Sequence, residues 1–311
     1  MELVIMKISK YQQGILENLP TSAIYLFFKL KIKSNLQEVM QSLRQLIDGQ
    51  SIVIGLGENI MQQTNLENFY KAYEPTLMQK NFAPKSSTDL VLWLRDNDQG
   101  ILMHKSRQII EIANAAFICT DITRACTYLT YHKDGKVVDH DLSGFRYGMK
   151  NSESEDPCNT AIIRLENKYL DGSSFWVIQK WQHDFNWLDK ASQQSKEQLI
   201  GRSLDDSREL EGNKPFAHIN CTAQEKFSPK TFILRRSMPW INDLLEGGLI
   251  FSCFAKSFSP FKMKFGRMTG EEDGIIDGVF KFSKILSTQF LWCPPFVKGK
   301  LVLPELIYST N

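Results

Sequence analysis

None of the six cysteines stands in a CxxC pair, and six in 311 residues are too sparse for a disulfide framework, so the thiols are expected to be free in a reducing compartment. No apolar run reaches the length of a membrane span. Residues 1–10 are apolar only briefly before Lys7 and Lys10, and they lack a small-residue cleavage site. With 37 basic against 35 acidic residues the net charge is +2, which excludes a strongly one-signed surface for nucleic acid or an anionic membrane. Together these absences predict a cytoplasmic protein with neither nucleic acid nor membrane as partner. What is present is apolar bulk. A hydrophobic fraction of 42%, with 20 Phe and 6 Trp, can fill a sizeable core, and the length suits one large domain or two of about 150 residues.

Residues 23–32 are aromatic and branched with Lys29, Lys31 and Lys33 alternating at the end, which predicts a strand with one wet face. Ser34 fits an N-cap with Gln37 at the capping-box position, and Leu36, Val39, Met40, Leu43, Leu46 and Ile47 recur at helical spacing until Gly49. Residues 51–56 read as a second strand. After a loop over 59–87, the same strand, helix, strand order returns at 89–94, 101–117 and 117–131.

The second half repeats the plan: a strand at 174–181, a helix from a cap at Asp184 to Leu199, a strand at 248–255, a helix at 259–268, a helical segment within 270–282 and a last strand at 288–292. The predicted class is α+β, two ferredoxin-like halves of duplicated βαββαβ order with helices packed on antiparallel sheets. The expected divisions are an N-terminal half at 1–132, a connecting segment at 133–160, a C-terminal half at 161–297 and a tail at 298–311. The tail is apolar around Pro304 and is expected to fray, with docking on a neighbour or an encapsulating shell as alternatives.

What sets the second half apart is a long insertion between Gly201 and Gly247, too apolar to be a tether. It contains Ile200-Gly201-Arg202, then Lys214-Pro215-Phe216-Ala217-His218-Ile219-Asn220, then Ile233-Leu234-Arg235-Arg236-Ser237-Met238-Pro239. Upstream, Asp141-Leu142-Ser143-Gly144-Phe145-Arg146-Tyr147-Gly148 forms a loop with two glycines four apart. In this order the motifs resemble the dye-decolorizing haem peroxidases, the compact cytoplasmic bacterial branch most closely. The resemblance runs from Gln13-Gly14-Ile15-Leu16 to Cys293-Pro294-Pro295.

That resemblance implies haem b in the C-terminal half, hydrogen peroxide as oxidant, a small-molecule reductant and self-association as a dimer or larger homo-oligomer. His218 matches the proximal iron ligand and Asp277 the acidic partner that makes an imidazole more basic, although a lone His in a loop and a carboxylate on a helix are also commonplace surface residues. Arg235 matches the distal arginine, a fixed cation able to hold peroxide and stabilise charge on the departing oxygen, while the neighbouring Arg236 reads as a surface cation. Ser237 could hydrogen-bond in the same pocket. Phe251 could wall it or simply belong to the core. Arg202 is a candidate for a haem carboxylate, and Gly148 and Asn151 match the loop passing over the haem edge.

One position departs from the resemblance. The family pattern in the Gly144 loop is Gly-x-x-Asp-Gly, and its acid–base aspartate is Tyr147 here. A phenol with an ordinary pKa near ~10 is a poor general base at neutral pH. Three outcomes stay open for Tyr147: Arg235 with a water suffices for slow peroxide cleavage, Tyr147 points away and packs, or its phenolate coordinates or approaches the iron; a tyrosine so placed could also carry a radical. The functional expectation is a haem peroxidase, with a haem-binding or haem-handling protein lacking efficient turnover as the alternative.

Overall fold

Alternation of apolar residues on both faces builds most of the strands. The structure, a computed structural model, describes residues 10–32, 35–70, 77–84, 86, 88–133, 136–147, 156–224, 227, 228 and 230–306. The first half runs β1 (Ser22–Leu30), α1 (Leu36–Leu46), β2 (Ile52–Leu56), two short helices α2 (Glu58–Met61) and α3 (Leu77–Phe82), β3 (Leu90–Asp96), α4 (Gln99–Ala113) and β4 (Phe117–Cys126). A small meander follows, β5 (Tyr131–Lys133), β6 (Lys136–His140) and β7 (Arg146–Tyr147), then α5 (Pro157–Ala161). The second half holds β8 (Ser174–His183), α6 (Phe185–Lys190), α7 (Gln193–Ile200), α8 (His218–Thr222), β9 (Leu234–Arg235), β10 (Met238–Ile241), β11 (Gly247–Ala255), α9 (Ser259–Met268) and β12 (Ser283–Cys293).

Several boundaries differ from expectation. Ser34 lies outside the described residues; Asn35 caps α1 by accepting from the Glu38 amide at 3.3 Å, and its own amide reaches the Glu38 carboxylate at 2.5 Å. The helix expected from Asp184 to Leu199 is two helices, because Ala191 is extended and Ser192 caps afresh by accepting from Ser195 N at 3.1 Å. The segment 270–282 holds only one 3-10 turn, Gly278–Lys281, since Gly270 and Gly274 both sit at positive φ.

The strands do not form two separate sheets. They pair antiparallel in the order β10-β4-β1-β3-β2-β12-β8-β11, and β11 pairs back with β10, so eight strands close on themselves; β9 adds to β11 beyond β10. The two seams are narrow, Trp292 opposite Leu56 and Trp240 opposite Ala125. Parity then sorts the side chains. Tyr25, Trp93, Trp176, Ile250, Phe254 and Leu291 pack inside the ring, where Trp176 and Phe254 stack at 5.2 Å. Their neighbours Leu26, Leu92, Val177, Phe290 and Trp292 face the outer layer of helices.

The tail does not fray through Leu306. Leu301 is fully buried, Leu303 and Leu306 pack on the helical core, and Leu306 bridges to Thr64. The Glu305 carboxylate accepts from the Tyr169 hydroxyl, and its carbonyl from Asn65 N at 3.1 Å. Leu301, Val302, Leu303 and Leu306 thus find their partner within the chain, and Ile307 lies outside the described residues. Among the described residues no helix is long and apolar enough to cross a membrane.

Candidate functional site

Gln179, Trp181 and His183 alternate along β8, and Leu249 and Phe251 along β11, so all five share the outer face of the sheet. Over that face lie α8 and α9, and between the layers is a largely apolar cavity. Gly201 brings the helical wall close. It ends α7 with φ +86, and a Cβ there would stand 2.4 Å from Ile219 Cγ2, so only glycine lets α7 end against α8.

His218 opens α8 and lines the cavity from the helical wall. Its Nδ1 lies 2.8 Å from Asp277 Oδ2, and the carboxylate is fully buried while 34% of the imidazole is exposed. Asp277 is fixed in turn: its Oδ1 accepts from Val279 N at 2.9 Å, its amide donates to Met268 O at 2.9 Å, and the next amide, Gly278 N, donates to Phe216 O at 2.7 Å. A carboxylate at Nδ1 fixes the tautomer with Nε2 as the nitrogen available to the cavity.

Two thiols stand nearby. Burial, then the charges of Asp277 and Asp273, pushes the Cys221 thiol up to about 12, and burial holds Cys253 at about 12 against the pull of Arg235 and Lys264. Neither is a thiolate at neutral pH. Among the described residues no three His, Cys, Asp or Glu side chains converge on one point.

Arg235, Ser237 and Phe251 belong to the sheet wall. Arg235 pairs with Cys253 at the end of β9, and Ser237 is buried with its Oγ accepting from Ser252 N at 3.3 Å. Phe251 faces the cavity and lies 6.3 Å from the Phe261 ring of α9. Arg236 is not the surface cation expected: burial and then Arg95 lower its pKa to about 10, and it donates to the carbonyls of Ile15 at 3.1 Å and Leu16 at 2.6 Å. Arg202 lines the cavity but also donates to Ser207 O at 2.7 Å and Glu209 Oε1 at 2.8 Å. Tyr147 ends β7, its backbone opposite Asp139. Gly148 and Asn151 lie outside the described residues.

A buried pair that no sequence motif marks stands at the other end of the cavity. His183 Nε2 is 3.0 Å from Asp141 Oδ2, and its Nδ1 is 2.8 Å from Ser283 Oγ. Asp141 also accepts from Ser143 Oγ at 2.5 Å. Burial alone pushes the Asp141 carboxyl up, but the charge and hydrogen bond of His183, with the two Ser143 donors, outweigh it and hold its pKa below the ordinary value. From Val177, which pairs with Cys253 beside Arg235, to His183 is about 20 Å at the rise of a strand, so this pair and Arg235 mark opposite ends of the cavity. The signal was the parity of β8, which puts His183 on the same face as Gln179 and Trp181.

A family model described as Dyp-type peroxidase, C-terminal, matches residues 138–298. The chain is 25% identical over 244 residues to a dye-decolorizing peroxidase from Rhodococcus erythropolis, covering 74% of this chain and 69% of that protein. It is 21% identical over 258 residues to one from Mycobacterium tuberculosis, covering 78% and 73%. Among solved structures it resembles DyPB from Rhodococcus jostii with a TM-score of 0.76, 20% identity and coverage of 91% of this chain and 95% of that chain. A DypB variant from the same organism, solved in complex with heme, superposes with a TM-score of 0.71, 21% identity and coverage of 91% and 96%. At these identities the structural likeness speaks for the fold.

Proposed function

The chain belongs to the Dyp-type peroxidase family, and we propose that it holds haem b on His218 and reduces hydrogen peroxide while oxidising a small-molecule donor. Membership makes it a haem-dependent peroxidase. When bound, haem supplies the redox-active iron at which peroxide is reduced.

The observation that carries the residue assignment is the buried Asp277 carboxylate on His218 Nδ1, set across the cavity from Arg235. The residues present fit a flat apolar group carrying carboxylates. One imidazole nitrogen is available, Phe251, Phe261, Phe265 and Met268 supply apolar walls, and Arg235 and Arg202 supply positive charge. In this reading Asp277 orients His218 and raises its basicity. Arg235 holds peroxide and stabilises the negative charge that develops on the departing oxygen. Ser237 adds a hydroxyl beside it, Phe251 excludes water, and Arg202 meets a haem carboxylate in competition with Glu209.

Arg235 stays protonated at any working pH, so it cannot accept the peroxide proton. In this reading that proton goes to a water, because a neutral phenol such as that of Tyr147 is no base at neutral pH. Gly148 and Asn151 keep their assignment to the haem-edge loop through the resemblance alone. The same basis supports a cytoplasmic homo-oligomer. Strand order supports the ferredoxin-like reading of both halves: each runs fourth, first, third, second, as β4-β1-β3-β2 and as β12-β8-β11-β10. The divisions at 1–132, 133–160, 161–297 and 298–311 are proposed along with it.

Protein loaded with haem should show a Soret band that His218→Ala abolishes, and peroxide should change the wild-type spectrum until a donor restores it. A wild type that never takes up haem overturns the proposal. One that binds haem but ignores peroxide, with Tyr147→Asp reacting, makes it the haem-handling alternative.

A further inference from the structure

Lys264 is the anomaly of the cavity's helical wall. Phe261, Lys264, Phe265 and Met268 form one stripe of α9, all lining the cavity, and the lysine is 5% exposed. A buried ammonium is costly unless compensated. One of its contacts reaches the end of α8. Lys264 Nζ donates to Thr222 O at 3.3 Å and lies 4.8 Å from the centre of the Phe227 ring. Thr222 is the last residue of α8, where unpaired carbonyls carry the negative end of the helix, and His218 is the first. Thr222 Oγ donates back to His218 O at 2.8 Å, so the ammonium, the end of the helix and the histidine form one connected run.

We propose that Lys264 is a positioning residue for His218: its ammonium closes the open end of the short α8 and sets a fixed positive charge beside the helix that presents the imidazole. A helix of five residues has little cohesion of its own. Its entry is held by Gly278 N on Phe216 O and by Asp277 on His218; Lys264 holds its exit. The charge reaches across the cavity, since Lys264 joins Arg235 in drawing down the Cys253 thiol against its burial. The electronic consequence rests on the haem reading. With haem held on His218, a fixed cation beside α8 would disfavour the more positive, oxidised iron, so Lys264 would raise the ferric–ferrous reduction potential while Asp277 would lower it.

The test has two arms. In haem-free protein, hydrogen exchange of the Asn220, Cys221 and Ala223 amides is compared for wild type, Lys264→Met and Lys264→Arg. The Met variant keeps the stem and is expected to exchange roughly tenfold faster at these amides, with exchange in the β8–β11 pairing unchanged and the Arg variant near wild type. Unchanged α8 exchange in Lys264→Met overturns the positioning role. In haem-loaded protein, Lys264→Met should shift the reduction potential downward with the Soret band retained, and Lys264→Arg should restore it. A potential that does not move overturns the electrostatic role. If wild type takes up no haem while the exchange arm responds, the haem reading fails and the positioning role stands.

Discussion

His218 and Asp277 lie 59 residues apart in the chain and 2.8 Å apart in space, the imidazole partly exposed and the carboxylate wholly buried. Asp277→Asn keeps an oxygen for Val279 N but removes the charge from Nδ1. Haem affinity is expected to fall by roughly 10- to 100-fold, the usual effect of removing a carboxylate behind a ligating histidine. Titration of haem-free protein followed at the Soret band measures this; affinity equal to wild type would show the carboxylate is merely structural.

Arg235 lines the sheet wall of the same cavity, where the proposed function gives it the peroxide. Arg235→Leu should leave the Soret band in place and slow the reaction with peroxide by about 100-fold or more, the scale seen on removing one preorganised donor from developing charge. Rapid mixing with peroxide reads the rate. A rate unchanged from wild type would remove Arg235 from the chemistry.

The Asp141–His183 pair carries a pH dependence. The folded pKa of Asp141 lies below its unfolded value, so its contribution is complete above the ordinary carboxylate range and is lost as pH falls through the folded pKa. At pH 7, Asp141→Asn should destabilise the fold by about 3 kcal/mol, as expected for breaking a buried pair from one side. The gap between wild type and variant should close in acid. Thermal melts between pH 7 and pH 3 check this, and a gap that widens toward acid contradicts the sign.

The docked tail should matter to stability. Leu301 is fully buried, and Leu301→Ala should cost about 3 kcal/mol in denaturant unfolding. A cost below about 0.5 kcal/mol, the range of surface substitutions, would mean the tail is not part of the core.

Much of this was legible in the chain because it depends on local chemistry. Runs of aromatic and branched residues located β1, β3, β8 and β11, and the apolar spacing of α1 and α4 located their helices to within a few residues. Capping was less legible. Ser34 and Asn35 are both good caps, and the Glu38 contacts select Asn35, while Ser192 restarts a helix that periodicity alone would have continued. Near His218 and Arg235 the motifs were continuous in sequence, so the pair could be named before any coordinates.

The sequence by itself determined the elements, the family resemblance and the residue types around the insertion, because each follows from a short run of neighbours. Tertiary structure decided what needs distant segments to meet. Closure of eight strands rests on Trp292 meeting Leu56 and Trp240 meeting Ala125, contacts between halves that no periodicity encodes. It buried Asp277 against His218 and Asp141 against His183, and turned Arg236 from a surface cation into a donor for Ile15 and Leu16. Lys264 makes the same point: on paper it is one of two lysines in a basic helix, and the packing of α9 on α8 gives its ammonium a carbonyl to hold.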